Sequence, residues 1–533
     1  MPPGYNFIHL KRHRWLGRHK STDSLSIITG KELCLYYLYR DMNKAHIAVI
    51  GSGFAGLATA AILAKEGFEV TIFEKNEQAG GRAGLWEKDG FQFDMGPSWY
   101  WMPEVFENFF NLFGKSVKEF YNLKRLDPGY RIYYGKGDLI DIPAKMSALE
   151  ALFESLETGS SAKLREFLQQ AEYKYRTGMG DYVFRPSHSI AEYLEPSLVI
   201  ESFRIQMLTS MSKHVRKYFK NPKLIKLLEF PVLFLGATPQ NTPALYSMMN
   251  YADLALGTWY PMGGMNEIVQ AMVNVAVEQG VKIRLGNEVI KIPVVDGKAS
   301  GVLTEEAFHP ADMVIANADY QFVDQTLLDE EYRHYTPKYW ENRTLSPSSL
   351  LFYLGINKKL EGIEHHNLFF DEDFELHAKE IYTEPQWPSK PLFYVSCTSK
   401  TDPNVAPGGM ENLFFLMPIA PGLTDSEEMR EKYYNLMMDR FEKVIGQSVR
   451  DAVIVKRAYA LDDFTADYHS YKGNAYGLAN TLKQTAFLKP KMRSKKVKNL
   501  LYTGQLTVPG PGVPPSIISG QVAAKEAQRY FND

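Results

Sequence analysis

Short unbroken apolar runs, each closed by a glycine or an acid, alternate with stretches of helical spacing at both ends of the chain. Ile47-Ala48-Val49-Ile50 reads as a buried strand ending at Gly51. Small and apolar residues from Ala55 to Glu66 predict a helix, and Val70-Thr71-Ile72-Phe73 a second strand ending at Glu74. Asn266 to Glu278 repeats the theme, with Ile268, Ala271, Met272 and Val275 at helical spacing. Strand-like runs Val281–Leu285 and Glu288–Ile292 follow around Gly286-Asn287, and Ala311–Ala318 reads as another buried strand with a turn. Leu501-Tyr502-Thr503-Gly504 predicts a strand and tight turn, with a helix from Gln521 to Arg529. Between these pieces, 146–256 is helix-like and rich in aromatics and methionine. The stretch 321–489 instead holds extended runs such as Ser349–Gly355 and Asn412–Met417.

The first strand–helix–strand unit carries chemistry. Gly51-Ser52-Gly53-Phe54-Ala55-Gly56 is a complete GxGxxG placed between a strand and a helix, with Glu74 at the end of the second strand, the full dinucleotide-binding context. Gly51 serves the tight turn, Gly53 lets the backbone approach a pyrophosphate at the helix N-terminus, and Gly56 lets the helix close on the sheet. Glu74 is placed to accept hydrogen bonds from ribose hydroxyls. A second glycine pair with a cation, Gly80-Gly81-Arg82, can hold a diphosphate from the other side. Far downstream, the Gly/Pro-rich loop Pro509–Gly520 precedes a helix and can present N–H groups to an electron-rich acceptor.

The ExxxxxGGR pattern from Glu74 to Arg82 resembles the FAD-binding flavoproteins that include amine oxidases, protoporphyrinogen oxidases and carotenoid desaturases. Phe93-Asp94-Met95-Gly96-Pro97 is similar to that group's D-x-GP segment beside the flavin. Phe234–Pro239 with Pro243–Tyr246, Tyr260–Met265, Gly473–Gly477 and Gln484–Phe487 resemble the phytoene desaturase branch, and the likeness runs from Met42 to Phe531. The resemblance implies an α/β fold with a discontinuous Rossmann-like FAD-binding domain (42–145, 257–320 and 490–533), a helical insertion at 146–256 serving as a membrane-facing lid, and a mixed-sheet substrate domain at 321–489. It implies FAD held by Gly51, Gly53, Phe54, Ala55, Gly56, Glu74, Lys75, Gly81, Arg82, Gly96, Pro97, Ser98, Val289, Asn317, Gly504, Gln505, Gly512 and Val513. Val289 matches a valine that meets the adenine through its backbone, and the helix after the C-terminal loop would point at the flavin ring. Two positions depart from the pattern. Thr507-Val508-Pro509-Gly510 stands where many members read T-H-P-G, so no histidine is available there as a base, and Gln505 replaces an acid near the ribityl chain.

The implied activity is desaturation of phytoene toward lycopene-type polyenes, with hydride transfer from an allylic carbon to flavin N5. Alternatives are a later-step desaturase of a hydroxylated or already unsaturated carotenoid, a flavin-dependent cis–trans isomerase, and a non-catalytic flavin-binding module. Asp94 and Glu192 are candidate proton acceptors that compete with structural roles. A C40 polyene offers no polar handle, so its affinity must come from apolar contact, and Pro97–Pro103 with Trp99 and Trp101 is a candidate lining. Such a substrate arrives from a membrane. The basic segment Lys213–Leu228 with Val215, Phe219, Ile225 and Leu228 is a candidate bilayer contact, or equally a solvated helix on its own domain. Quinone or oxygen would take the electrons.

The 533 residues exceed one compact core, and a net charge of −2 leaves no footprint for nucleic acid. The two cysteines, Cys34 and Cys397, match no metal spacing and suggest a reducing compartment. A cytoplasmic, peripherally membrane-associated protein is therefore expected, with its oligomeric state left open. Residues 1–41 are basic and lack a clean signal-peptide core; they read as an extension upstream of Met42, or as a targeting arm.

Overall fold

A computed structural model describes residues 44–189, 192, 206, 209–481 and 484–533. The N-terminal extension expected over 1–41, with Cys34, lies outside the described residues. Five strands, β1 (His46–Ile50), β2 (Glu69–Phe73), β3 (Lys282–Arg284), β4 (Met313–Ala316) and β5 (Leu500–Tyr502), form one parallel sheet in the order β5-β4-β1-β2-β3. The apolar runs Ile47–Ile50, Met313–Ala316 and Leu500–Tyr502 follow from burial on both faces, while the edge strand β3, Lys282-Ile283-Arg284, is largely exposed.

Three helices pack on this sheet: α1 (Phe54–Lys65), α2 (Asn266–Glu278) and α3 (Val513–Asn532). α1 is wedged against both α2 and α3, which accounts for its burial on almost every side. Small residues permit the crossing: a Cβ added to Gly520 would lie 2.4 Å from the Ala55 carbonyl oxygen. α3 starts at Val513, eight residues before the helix the sequence predicts. Pro514 and Pro515 fall in its first turn, where no intrahelical N–H is required.

A second, seven-stranded sheet runs Val453–Tyr459, Ser348–Ile356, Glu411–Ile419, Phe393–Ser396, His366–Phe369, Tyr130–Gly135, Asp138–Ile142. One pairing, His366–Phe369 with Tyr130–Gly135, is parallel and the others are antiparallel, a mixed sheet as expected. The hairpin 130–142 pairs into this sheet, although the sequence groups it with the cofactor half. Its partner strand is more than 200 residues away, and pattern alone does not choose between two sheets. Leu350, Phe352 and Leu354 face the helix Glu427–Ile445, while Leu351 and Tyr353 face the larger core shared with the parallel sheet. Both faces are therefore covered, and the runs show no polar alternation. Free Cys397 is buried in this sheet, and burial pushes its thiol up to about 12.

The insertion contains Met146–Leu156, Ser160–Thr177, Met211–Tyr218 and Pro222–Glu229 as helices. Val215, Phe219 and Leu228, offered by the sequence to a bilayer, are fully buried, and Lys213, Arg216 and Lys217 form the exposed face. Ile225 is half-buried, and most of the segment's apolar face packs within its own domain. No helix among the described residues is long and apolar enough to cross a membrane.

Candidate functional site

A cavity of about 720 Å³ runs from the end of β1 to the start of α3. At one end the backbone does the work. α1 begins after Gly53 with no side-chain cap and no acidic residue in its first turn, so its N–H groups and its positive end face the cavity. Gly56 lies behind them: a Cβ there would sit 2.2 Å from the Gly51 carbonyl oxygen, so only glycine lets the helix close on the turn. Glu74 is buried, and its Oε2 accepts from Ser52 N at 2.8 Å and Ser52 Oγ at 2.7 Å while Oε1 accepts from Asn76 N at 2.9 Å. These bonds hold its carboxylate at the cavity wall. Asn317 donates to the Gly51 carbonyl at 3.2 Å, tying the loop after β4 to the loop after β1.

Arg82 stands midway. Its Nη2 donates to Ser470 Oγ at 2.5 Å, and the Gln505 amide oxygen, turned toward it, accepts from Nη2 at 3.0 Å. The guanidinium lies 5.3 Å from the Tyr468 ring, and burial lowers its pKa against the opposing charge of Asp319. Arg82 Nε is buried without a hydrogen-bond partner among the described residues. An enclosed cation with an unused donor, opposite an uncapped helix N-terminus, suits a diphosphate.

The far end is apolar. Trp99, Trp101, Met179, Met248, Met249 and Leu416 line it. Trp99 stacks on His366 with ring centroids 4.2 Å apart and meets Trp101 edge-on at 5.3 Å. A buried network sets the tryptophans: Trp101 Nε1 donates to Thr258 Oγ1 at 2.9 Å, Thr258 to Asp253 at 3.2 Å, and Tyr130 to Asp253 at 2.6 Å. Burial pushes the Asp253 carboxyl up to about 7. The loop 503–512 and the start of α3 close this end, held by buried Ser519, whose Oγ accepts from Gly504 N at 3.0 Å.

Of the residues expected to hold a cofactor, Gly51, Gly53, Phe54, Ala55, Glu74, Lys75, Gly81, Arg82, Gly96, Pro97, Ser98, Val289, Asn317, Gly504, Gln505, Gly512 and Val513 all line this cavity, and Gly56 supports it from behind. Asp94 and Glu192 do not line it. Asp94 accepts from Met265 N at 2.8 Å and Asn266 N at 3.0 Å, capping α2, and burial raises it to about 6. The Glu192 carboxylate accepts backbone N–H bonds from Ser187, His188 and Ser189. Both carboxylates are thus engaged by backbone donors outside the cavity lining. The sequence motifs around Leu245-Tyr246, Ala475-Tyr476 and Thr485–Phe487 converge on the lining as well. Met179, Met248, Met249, Tyr394, Leu416 and the Asp253 network have no local signal, because apolar residues of this kind fill any core.

The model of the flavin containing amine oxidoreductase family matches residues 54–528. The chain is 40% identical over 490 residues to a carotenoid 3,4-desaturase of Haloarcula japonica, covering 91% of this chain and 98% of that protein. It is 31% identical over 491 residues to a zeta-carotene-forming phytoene desaturase of Myxococcus xanthus, covering 91% and 94%. Among solved structures it resembles an oxidoreductase from Methanosarcina mazei, with TM-score 0.60 and 18% identity over 90% of this chain and all of that one. It also resembles a protoporphyrinogen oxidase-like protein from Exiguobacterium sp. 255-15, with TM-score 0.58 and 14% identity over 92% of this chain and all of the other. These last two likenesses concern the fold. Its sequence, its parallel sheet and its doubly anchored cavity together place this chain in the flavin containing amine oxidoreductase family, with FAD as its cofactor.

Proposed function

We propose that the chain is a carotenoid desaturase that removes a hydride and a proton from adjacent carbons of a polyene. One observation carries this: the cavity that begins at the GxGxxG turn continues, without a break, into a chamber of tryptophan, tyrosine and methionine. FAD, bound along it, supplies the hydride acceptor. We place its ADP moiety at α1 and Glu74, its diphosphate between α1 and Arg82, and its ring at the start of α3. Val513 and its neighbours then direct the positive end of α3 at the ring, where hydride acceptance leaves negative charge. Trp99, Trp101, Met248 and Met249 hold the polyene by apolar contact, at about 25 cal/mol per Å² buried.

The favoured substrate is an already partly unsaturated carotenoid, desaturated at a terminal 3,4 bond. Its support is the 40% identity to a protein of that name. The second substrate, phytoene, is supported by the 31% identity to a phytoene desaturase. The purified, FAD-loaded protein is incubated with phytoene, lycopene and a hydroxylated carotenoid in lipid vesicles, with quinone or oxygen as acceptor. A product two hydrogens lighter from lycopene or the hydroxylated carotenoid supports the first, and from phytoene the second. Products of unchanged mass identify an isomerase and overturn desaturation.

A further inference from the structure

Two buried lysines lie near the apolar end, and they differ. Lys174 is satisfied: its Nζ donates to Ala244 O at 3.0 Å, Ser247 Oγ at 3.0 Å and Gln206 Oε1 at 3.1 Å. Lys489 is 3% exposed, and its Nζ has no hydrogen-bond partner among the described residues. Asn480 is also 3% exposed, with an unpartnered Oδ1. The two side chains converge behind the loop 508–512. A Cβ added to Gly510 would lie 3.4 Å from Lys489 Nζ and 3.3 Å from both amide atoms of Asn480. Asn480, Pro509, Pro511 and Gly512 line the cavity itself.

A buried amine with no anion beside it is costly when charged. Burial accordingly pulls Lys489 down to about 7. An anion formed on the cavity side of the loop would remove that cost. The start of α3, which carries no acidic residue, adds positive potential at the same place.

We propose that Lys489 is a positioning residue for the redox step, a buried positive charge behind the loop 508–512 that offsets the negative charge left on the flavin by hydride acceptance. Asn480 lies against Gly510 and presents its amide to the cavity from the same side. The substrate C–H bond breaks with its electron pair passing to flavin N5. The proton from the adjacent carbon goes to water, and Lys489 forms and breaks no bond to carbon. This role rests on the placement of the flavin ring at the start of α3.

The test uses the FAD-loaded full chain and two readouts besides turnover: the reduction potential of bound FAD, and its affinity for sulfite, which adds at N5 and leaves the same negative charge. Lys489→Met should shift the potential negative and weaken sulfite binding roughly tenfold, the scale of one partly screened charge, with FAD content retained. Lys489→Arg should restore both. Val513→Glu, which puts a carboxylate at the start of α3, should shift the potential negative independently. An unchanged potential in Lys489→Met with a shift in Val513→Glu overturns the role of Lys489 and keeps the ring placement. No shift in either overturns the placement and the proposal with it. A shift that Lys489→Arg fails to restore marks a packing effect and also overturns the proposal. Should Lys489→Met fail to fold, Lys489→Gln is read in the same way.

Discussion

The two ends of the cavity are built by opposite means. The end at α1 is polar and local: Gly51, Ser52, Gly53, Gly56 and Glu74 fall within 24 residues, and Glu74 has both oxygens engaged by neighbouring donors. The end at α3 is apolar and assembled at long range, from 98–102, 178–183, 245–249, 394, 416, 475–480, 485–487 and 503–516. The first must offer the same hydrogen bonds to any adenine dinucleotide, so its geometry is stereotyped and short-range. The second must grip a substrate with almost no polar atoms, so shape and area matter and many residue sets serve.

Four outcomes can break or sharpen this contrast. The largest effect on the cofactor is expected from Gly56→Val. The added side chain meets the Gly51 carbonyl, which is backbone and cannot yield cheaply, so purified protein should lack flavin absorbance and lose about 3 kcal/mol of stability in denaturant unfolding. Met249→Glu should abolish polyene turnover while FAD stays bound, because it places a carboxylate in the apolar chamber. If FAD is lost too, the ends are not separable. Asp253→Asn tests the framework behind Trp101. Burial pushes the wild-type carboxyl from its ordinary 3.8 up to about 7, so the folded state binds the proton more tightly. Stability is then greatest below pH 3.8 as far as this group is concerned, and falls as pH rises through about 7. The fall is on the order of 4 kcal/mol at about 1.4 per unit. The asparagine variant should lose that slope in unfolding measured between pH 4 and 8. Arg82→Met should weaken FAD binding by about ten- to a hundredfold, the value of a charge-assisted hydrogen bond to phosphate, as read by FAD titration of stripped protein. A change below twofold would take Arg82 out of the diphosphate site.

Legibility in the sequence followed contact range. β1, α1, β2 and Glu74 could be read because each is specified by its neighbours in the chain. The start of α3 was misjudged because its two prolines suggest a loop, yet a helix tolerates proline in its first turn. Lys213–Leu228 shows the same ambiguity. Its basic face and apolar face are plain in the sequence, but whether Val215 and Phe219 meet lipid or protein depends on helices far away in the chain. Asp94 and Glu192 look like catalytic acids as letters, and only the structure shows Asp94 capping α2 and Glu192 accepting from the backbone of 187–189.

By itself the sequence determined the nucleotide fingerprint, the local βαβ unit and, in the second glycine pair with Arg82, a second polar wall of the same cavity. Those features depend on backbone conformations that a few glycines and one acid impose within a short window. The tertiary structure alone decided which apolar residues became a cavity wall and which became core. It also decided that the hairpin at 130–142 joins the second sheet, and that Lys489 Nζ and Asn480 Oδ1, without hydrogen-bond partners among the described residues, converge at the C-terminal loop. Apolar attraction is non-directional and burial is a sum over the whole fold, so the position of an apolar wall or an uncompensated charge exists only once every distant segment has taken its place.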